Sequence, residues 1–120
     1  DPIGTIQPVL DAINDKTRLV LIDHVTSPTA LLLDVATVVD VCRKRGIDVL
    51  VDGAHAPGML ELDLASLGPT WYVGNLHKWV CAPIGAGFLW TQESHRDRVH
   101  PAIILMTRMV FSTEKIVPPA

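Results

Sequence analysis

Two apolar runs in this chain end in groups that could do chemistry. Val49-Leu50-Val51 closes on the carboxylate of Asp52, and Trp71-Tyr72-Val73 leads within a few residues to the amine of Lys78. Each run breaks into a polar loop: Gly53-Ala54-His55-Ala56-Pro57-Gly58 after the first, and Gly74-Asn75-Leu76-His77-Lys78-Trp79 after the second. Open parallel sheets bind ligands at the carboxyl ends of their strands. An acid and an amine placed at two such ends therefore face one crevice. The carboxylate suits a cationic ring nitrogen, and the amine can condense with an aldehyde. Pyridoxal phosphate carries both groups.

Each residue has a plainer alternative. Asp52 could cap a turn, or act as a strand-end acceptor of the phosphorelay type; no acidic cluster near residue 1 supports the latter. Lysines mostly lie in solvent, but Leu76, Trp79 and Val80 surround Lys78 with apolar groups, and Pro83 to Gly87 bends the chain behind it. Such surroundings strip water from an amine and make it a better nucleophile. Asn75 and His77 flank the lysine and can donate to phosphate oxygens. His55, three residues past Asp52, can meet a phenolic oxygen. Ser27 follows another apolar run and opens on the same crevice; a Ser-Pro turn explains it equally well. His24, His95 and His100 read as loop or surface residues. Cys42 and Cys81 read as packing, since no base is placed by sequence to activate Cys81.

The elements that must position these groups follow from periodicity. Ile6, Val9, Leu10 and Ile13 recur at helical spacing, which predicts a helix over Ile6–Asn14 capped by Thr5. Arg18 to Asp23 predicts a strand, and its continuous apolar run suits one covered on both faces. Asp34 caps a helix from Val35 to Arg45, stopped at Gly46. Asp48–Asp52 is the next strand, so strand, helix and strand form a crossover unit with parallel strands. A short helix over Leu64–Leu67 ends at Gly68-Pro69. Trp71–Val73 is a third strand. Gly85–Trp90 follows too soon for a crossover helix, so the fourth strand runs antiparallel. Glu93–Val99 suits a short polar helix.

Bulk properties set limits. The 120 residues make one domain at most. Mean hydropathy is +0.31, high for a free-standing domain of this size, and suggests the inner part of a larger sheet. No apolar run approaches the roughly 20 residues that cross a bilayer. The net charge of −3 makes no electrostatic case for nucleic acid or a membrane. Arg43-Lys44-Arg45 reads as a solvated last helical turn, where positive charge suits the dipole. Two unpaired cysteines suggest a reducing, cytoplasmic setting, and no ligand spacing suggests a metal.

Asp52-Gly53-Ala54-His55-Ala56-Pro57-Gly58, Gly74-Asn75-Leu76-His77-Lys78-Trp79, Cys81-Ala82-Pro83 and Gly85 to Trp90 resemble the class V aminotransferases, pyridoxal-phosphate enzymes of fold type I. Asp23 to Ala30 resembles their isopenicillin N epimerase-like branch. The resemblance implies an α/β fold: part of a large domain, three layers α/β/α around a mostly parallel mixed sheet. It implies a Schiff base at Lys78, a pyridine-nitrogen contact at Asp52 and a phenolic-oxygen contact at His55. It places Asn75 and His77 at the phosphate and Ser27 beside the ring. It also implies an amino-acid substrate and a homodimer in the full-length form, with epimerase, transaminase or C–S lyase chemistry. The family's upstream phosphate loop, its ring-stacking residue and its downstream substrate-binding arginine have no counterpart in these 120 residues. The alternative is therefore a truncated chain inactive on its own. The resemblance covers residues 3 to 104. Over 105–120 the sequence leaves the family pattern, as an unspliced intron, a frameshift or an assembly error would cause, so 1–104 is read as the partial large domain and 105–120 as a divergent tail.

Overall fold

The computed structural model describes residues 3–100, so the 105–120 tail lies outside the described residues. The elements run β1 (Ile3–Gly4), α1 (Gln7–Ala12), β2 (Leu19–Asp23), β3 (Leu32–Leu33), α2 (Val35–Lys44), β4 (Asp48–Asp52), α3 (Leu64–Leu67), β5 (Trp71–Asn75), β6 (Gly87–Thr91) and a 3₁₀ turn, Glu93–Arg98. The main sheet has the order β2-β4-β5-β6. Its first three strands are parallel and β6 is antiparallel to β5, as the short spacer required. The family's three-layer fold is represented by the sheet and one helical layer.

Helix α2 shows why that layer forms. The Asp34 carboxylate accepts from the Thr37 backbone N–H at 3.1 Å and from its hydroxyl at 2.6 Å, which satisfies the open first turn. Val35, Val38, Val39 and Cys42 recur on one face and are buried. They pack against Val20, Ile22, Val49, Val51 and Tyr72, which point to the same side of the sheet. Burying each aliphatic side chain contributes about 1.5–3 kcal/mol. Gly46, at φ +67°, ends the helix in a left-handed conformation that costs glycine little. Arg43 and Lys44 stay exposed and pair with Asp40, both at 2.6 Å.

Several expectations change. The first helix is shorter than Ile6–Asn14: Ile6 occupies the N-cap, and Thr5 Oγ1 accepts only a long 3.3 Å bond from the Gln7 N–H. Ile13 turns to extended backbone and drops its side chain into the core. The β2 strand is not covered on both faces. It alternates, with Val20 and Ile22 buried and Leu19 and Leu21 exposed by 49% and 67%. An all-apolar run cannot reveal which face the surrounding chain leaves open. The small β1–β3 pair was not foreseen, since two-residue strands have no periodicity to read. Cys81 is exposed rather than packed.

Candidate active site

The parallel strands deliver their carboxyl ends to one rim. There Asp52 ends β4, and its carboxylate accepts the Ala54 N–H at 2.9 Å, an Asx turn that starts the Gly53–Gly58 loop. Gly53 is required at this point: a Cβ there would overlap the Tyr72 ring. The Gly53 N–H also bonds the Val73 carbonyl at 2.8 Å, tying the loop to β5. The loop thus projects His55 toward the neighbouring connection.

That connection, between Asn75 and Gly87, holds Lys78. It is closed by bonds from Leu76 N–H to the Ala86 carbonyl and from Ala82 N–H to the Leu76 carbonyl, both 3.0 Å. Lys78 Nζ lies 3.1 Å from His55 Nε2, and both side chains are half-buried. Among the described residues neither Lys78 nor Asp52 has an ion-pair partner. Acid and amine have not neutralised each other, so both can engage a ligand. This donor set fits a group with a basic ring nitrogen and an aldehyde.

The other candidates share the rim to different degrees. His77 donates from Nδ1 to the Ala86 carbonyl at 3.0 Å, which leaves Nε2 for a ligand. Asn75 ends β5, half-buried. Ser27 is exposed and joined to none of the others; its turn is held by Thr26, whose Oγ1 bonds Thr29 Oγ1 at 2.6 Å and accepts the Leu31 N–H at 2.8 Å.

Three residues were missed. His24 is not a surface residue: its N–H bonds the Asp52 carbonyl at 2.8 Å, and its Nδ1 meets the Tyr72 hydroxyl at 2.9 Å. Burial pushes the His24 imidazole below its usual range. Burial, and then the nearby Asp52 charge, push the Tyr72 phenol well above its own. Trp79 reads in the sequence as an apolar neighbour of Lys78, yet its indole N–H reaches His55 Nδ1 at 3.4 Å. His95 also departs from expectation. It sits half-buried at the opposite rim, 3.3 Å from Asp48. His24 carried one usable signal, its place directly after a strand parallel to the one bearing Asp52. Tyr72 and Trp79 carried none beyond apolar character.

Comparison with known proteins shows the family. The family model for class-V aminotransferases matches residues 3–115. Isopenicillin N epimerase from Streptomyces clavuligerus is 41% identical over 101 residues, covering 84% of this chain and 25% of that protein. An L-cysteine desulfhydrase from Arabidopsis thaliana is 39% identical over 94 residues, covering 75% and 21%. A cystine C–S lyase, solved with its product cysteine persulfide, superposes with a TM-score of 0.79 at 30% identity over 93% of this chain and 31% of its own. A variant of that lyase holds glycine covalently linked to its pyridoxal-phosphate cofactor, so at the level of the family the expected cofactor is borne out. The chain spans about a quarter of the length of the curated relatives it matches. With a mostly parallel mixed sheet and an acid and an amine on one rim, this chain belongs to the class-V aminotransferase family.

Proposed function

We propose that this segment carries the cofactor-attachment site of a pyridoxal-phosphate enzyme acting on an amino acid, with Lys78 as the amine that condenses with the cofactor's aldehyde. The strongest support is the 3.1 Å approach of Lys78 Nζ to His55 Nε2 on the rim where β4 ends in Asp52. When bound, the cofactor supplies a conjugated ring that draws electron density from the substrate's α-carbon. Asp52 keeps a proton on the ring nitrogen, and its Asx turn fixes the carboxylate's direction. His55 takes the phenolic oxygen. Asn75 and His77 take the phosphate. Because His77 Nδ1 is committed to the Ala86 carbonyl, the ring can donate to phosphate only from Nε2, as an imidazolium. Ser27 would lie beside the ring. Lys78 would also be the base that takes the substrate's α-proton.

Removal of that proton is shared by epimerisation, transamination and C–S cleavage, and the relatives named above include an epimerase, a desulfhydrase and a C–S lyase. The site is tested by borohydride reduction of the protein with pyridoxal phosphate, followed by peptide mass spectrometry. A reduced adduct is expected on Lys78 and is lost in Lys78→Ala; an adduct only elsewhere overturns the assignment. Incubation in D₂O with candidate amino acids then separates α-hydrogen exchange alone from release of sulfide. The functional unit proposed is a cytoplasmic homodimer of the longer protein, which light scattering and fractionation check.

A second reading is supported by the exposed leucines of β2 and by the fraction of the relatives' length that the chain spans. On its own, this 120-residue chain is catalytically inactive. It predicts an adduct on Lys78 in the longer protein and none in the 120-residue chain.

A further inference from the structure

We propose that Trp79 is a positioning residue: its indole N–H sets the tautomer of His55, so that the imidazole presents a proton donor to Lys78 and to the phenolic oxygen of the cofactor. The proposal deepens the function argued above and rests on Lys78 being the cofactor's amine. The tautomer itself is a separate matter, decided by four hydrogen-bonding atoms.

An indole nitrogen only donates. Trp79 Nε1 donates to His55 Nδ1 at 3.4 Å, with the two rings 6.4 Å apart and inclined by 56°. A neutral imidazole has one donor and one acceptor nitrogen. With Nδ1 accepting, the proton is on Nε2, the atom 3.1 Å from Lys78 Nζ. Nε2–H can bond only to a lone pair. An ammonium has none, so the contact is a hydrogen bond when Lys78 is an amine, the form that attacks an aldehyde. The opposite tautomer would offer Lys78 a lone pair and favour the ammonium. It would also turn an N–H against the indole N–H.

Packing does not explain where Trp79 sits, since the residue is 54% exposed. The chain has instead made room for it. Gly58, at φ +85°, lies beneath the Trp79 backbone, where a Cβ would come within 2.9 Å of the Trp79 carbonyl carbon. That close approach brings the loop of His55 and the loop of Lys78 together. Trp79 also follows Lys78 directly in the chain, so the imidazole bridges two neighbouring residues.

The test is Trp79→Phe, which keeps an aromatic ring and removes the N–H. Two-bond proton–nitrogen NMR on histidine-labelled, cofactor-free protein reads each neutral tautomer. In the wild type, His55 is expected as Nε2–H; Nδ1–H there overturns the proposal outright. In Trp79→Phe, His55 is expected to move to Nδ1–H or to a mixture, and an unchanged tautomer overturns the proposal. His77, held by the Ala86 carbonyl, is the internal control and is expected as Nδ1–H in both proteins.

The second readout is the rate of imine formation with pyridoxal phosphate as a function of pH. Near neutrality the variant is expected to be about three- to tenfold slower, the worth of one neutral hydrogen bond. The deficit should close in alkaline buffer, where the lysine is an amine in either protein. An equal deficit at every pH would mark a merely structural role and overturn the proposal. If Lys78 takes no adduct at all, the functional assignment fails, while the NMR result still decides the role of Trp79.

Discussion

At the scale of the residue, the candidate site is marked by an acid and an amine without ion-pair partners among the described residues. Asp52 spends one hydrogen bond on its own turn, from the Ala54 N–H, and makes no ion pair among the described residues. Asn can accept the same bond but carries no charge. Asp52→Asn is therefore expected to leave the fold intact and to lower kcat by about 10²–10³-fold, typical for loss of one preorganised electrostatic contact. Paired steady-state kinetics and thermal melts check both halves of that expectation. Asp52 and Lys78 were legible because each ends or follows an apolar run and breaks it with charge. Trp79 was not, because its partner lies 24 positions away and only the folded loops bring them together.

At the scale of the element, β5 serves two layers. Its Tyr72 is fully buried, stacks on Phe88 with ring planes 6° apart, and bonds His24 across 48 positions of sequence. Tyr72→Phe keeps the ring but orphans the half-buried His24 Nδ1, at an expected cost of about 1–3 kcal/mol in chemical unfolding. A pH dependence accompanies it. Burial lowers the His24 pKa in the folded state, so below the ordinary value of 6.5 the unfolded chain binds more protons. The stability that neutral His24 contributes is complete above that value and is lost as pH falls through the lowered one. The urea midpoint is expected to drop between neutral and mildly acidic buffer, and to drop less in His24→Gln. The spans of α2 and β4 could be read almost to the residue, because Asp34, Gly46 and a strict apolar stripe mark them locally. The His24–Tyr72 pair could not, since β2 and β5 flank β4 in the sheet, and that order is a property of the fold rather than of either segment.

At the scale of the whole molecule, the two rims of the sheet divide the work. The amino-terminal rim is tied together by Asp48, which meets Arg98 at 3.0 Å, His95 at 3.3 Å and the Thr70 hydroxyl at 3.4 Å, while Arg98 also lies over the Trp71 ring at 5.3 Å. At the carboxyl rim Asp52 and Lys78 make no ion pair among the described residues. Between the rims, one face of the sheet is packed by helices, while on the other Leu19, Leu21 and Leu89 remain exposed. Each leucine hidden from water contributes about 1.5–3 kcal/mol, and contiguous apolar surface drives association. The 120-residue chain is expected to self-associate, and Leu21→Lys to shift it toward monomer in light scattering. No helix among the described residues is long and apolar enough to cross a membrane.

The return of β6 alongside β5 has one more consequence. Because the chain leaves and re-enters the sheet at the same rim, Lys78 rides on a span anchored at both ends and laced across by the amides of Leu76, Ala82 and Ala86. A lid hinged at one end could swing an amine out to meet its reactant. A span fastened at both moves only as a unit about those ends, so at rest this amine reaches no further than its own four methylenes, and under the function proposed the aldehyde is brought to it.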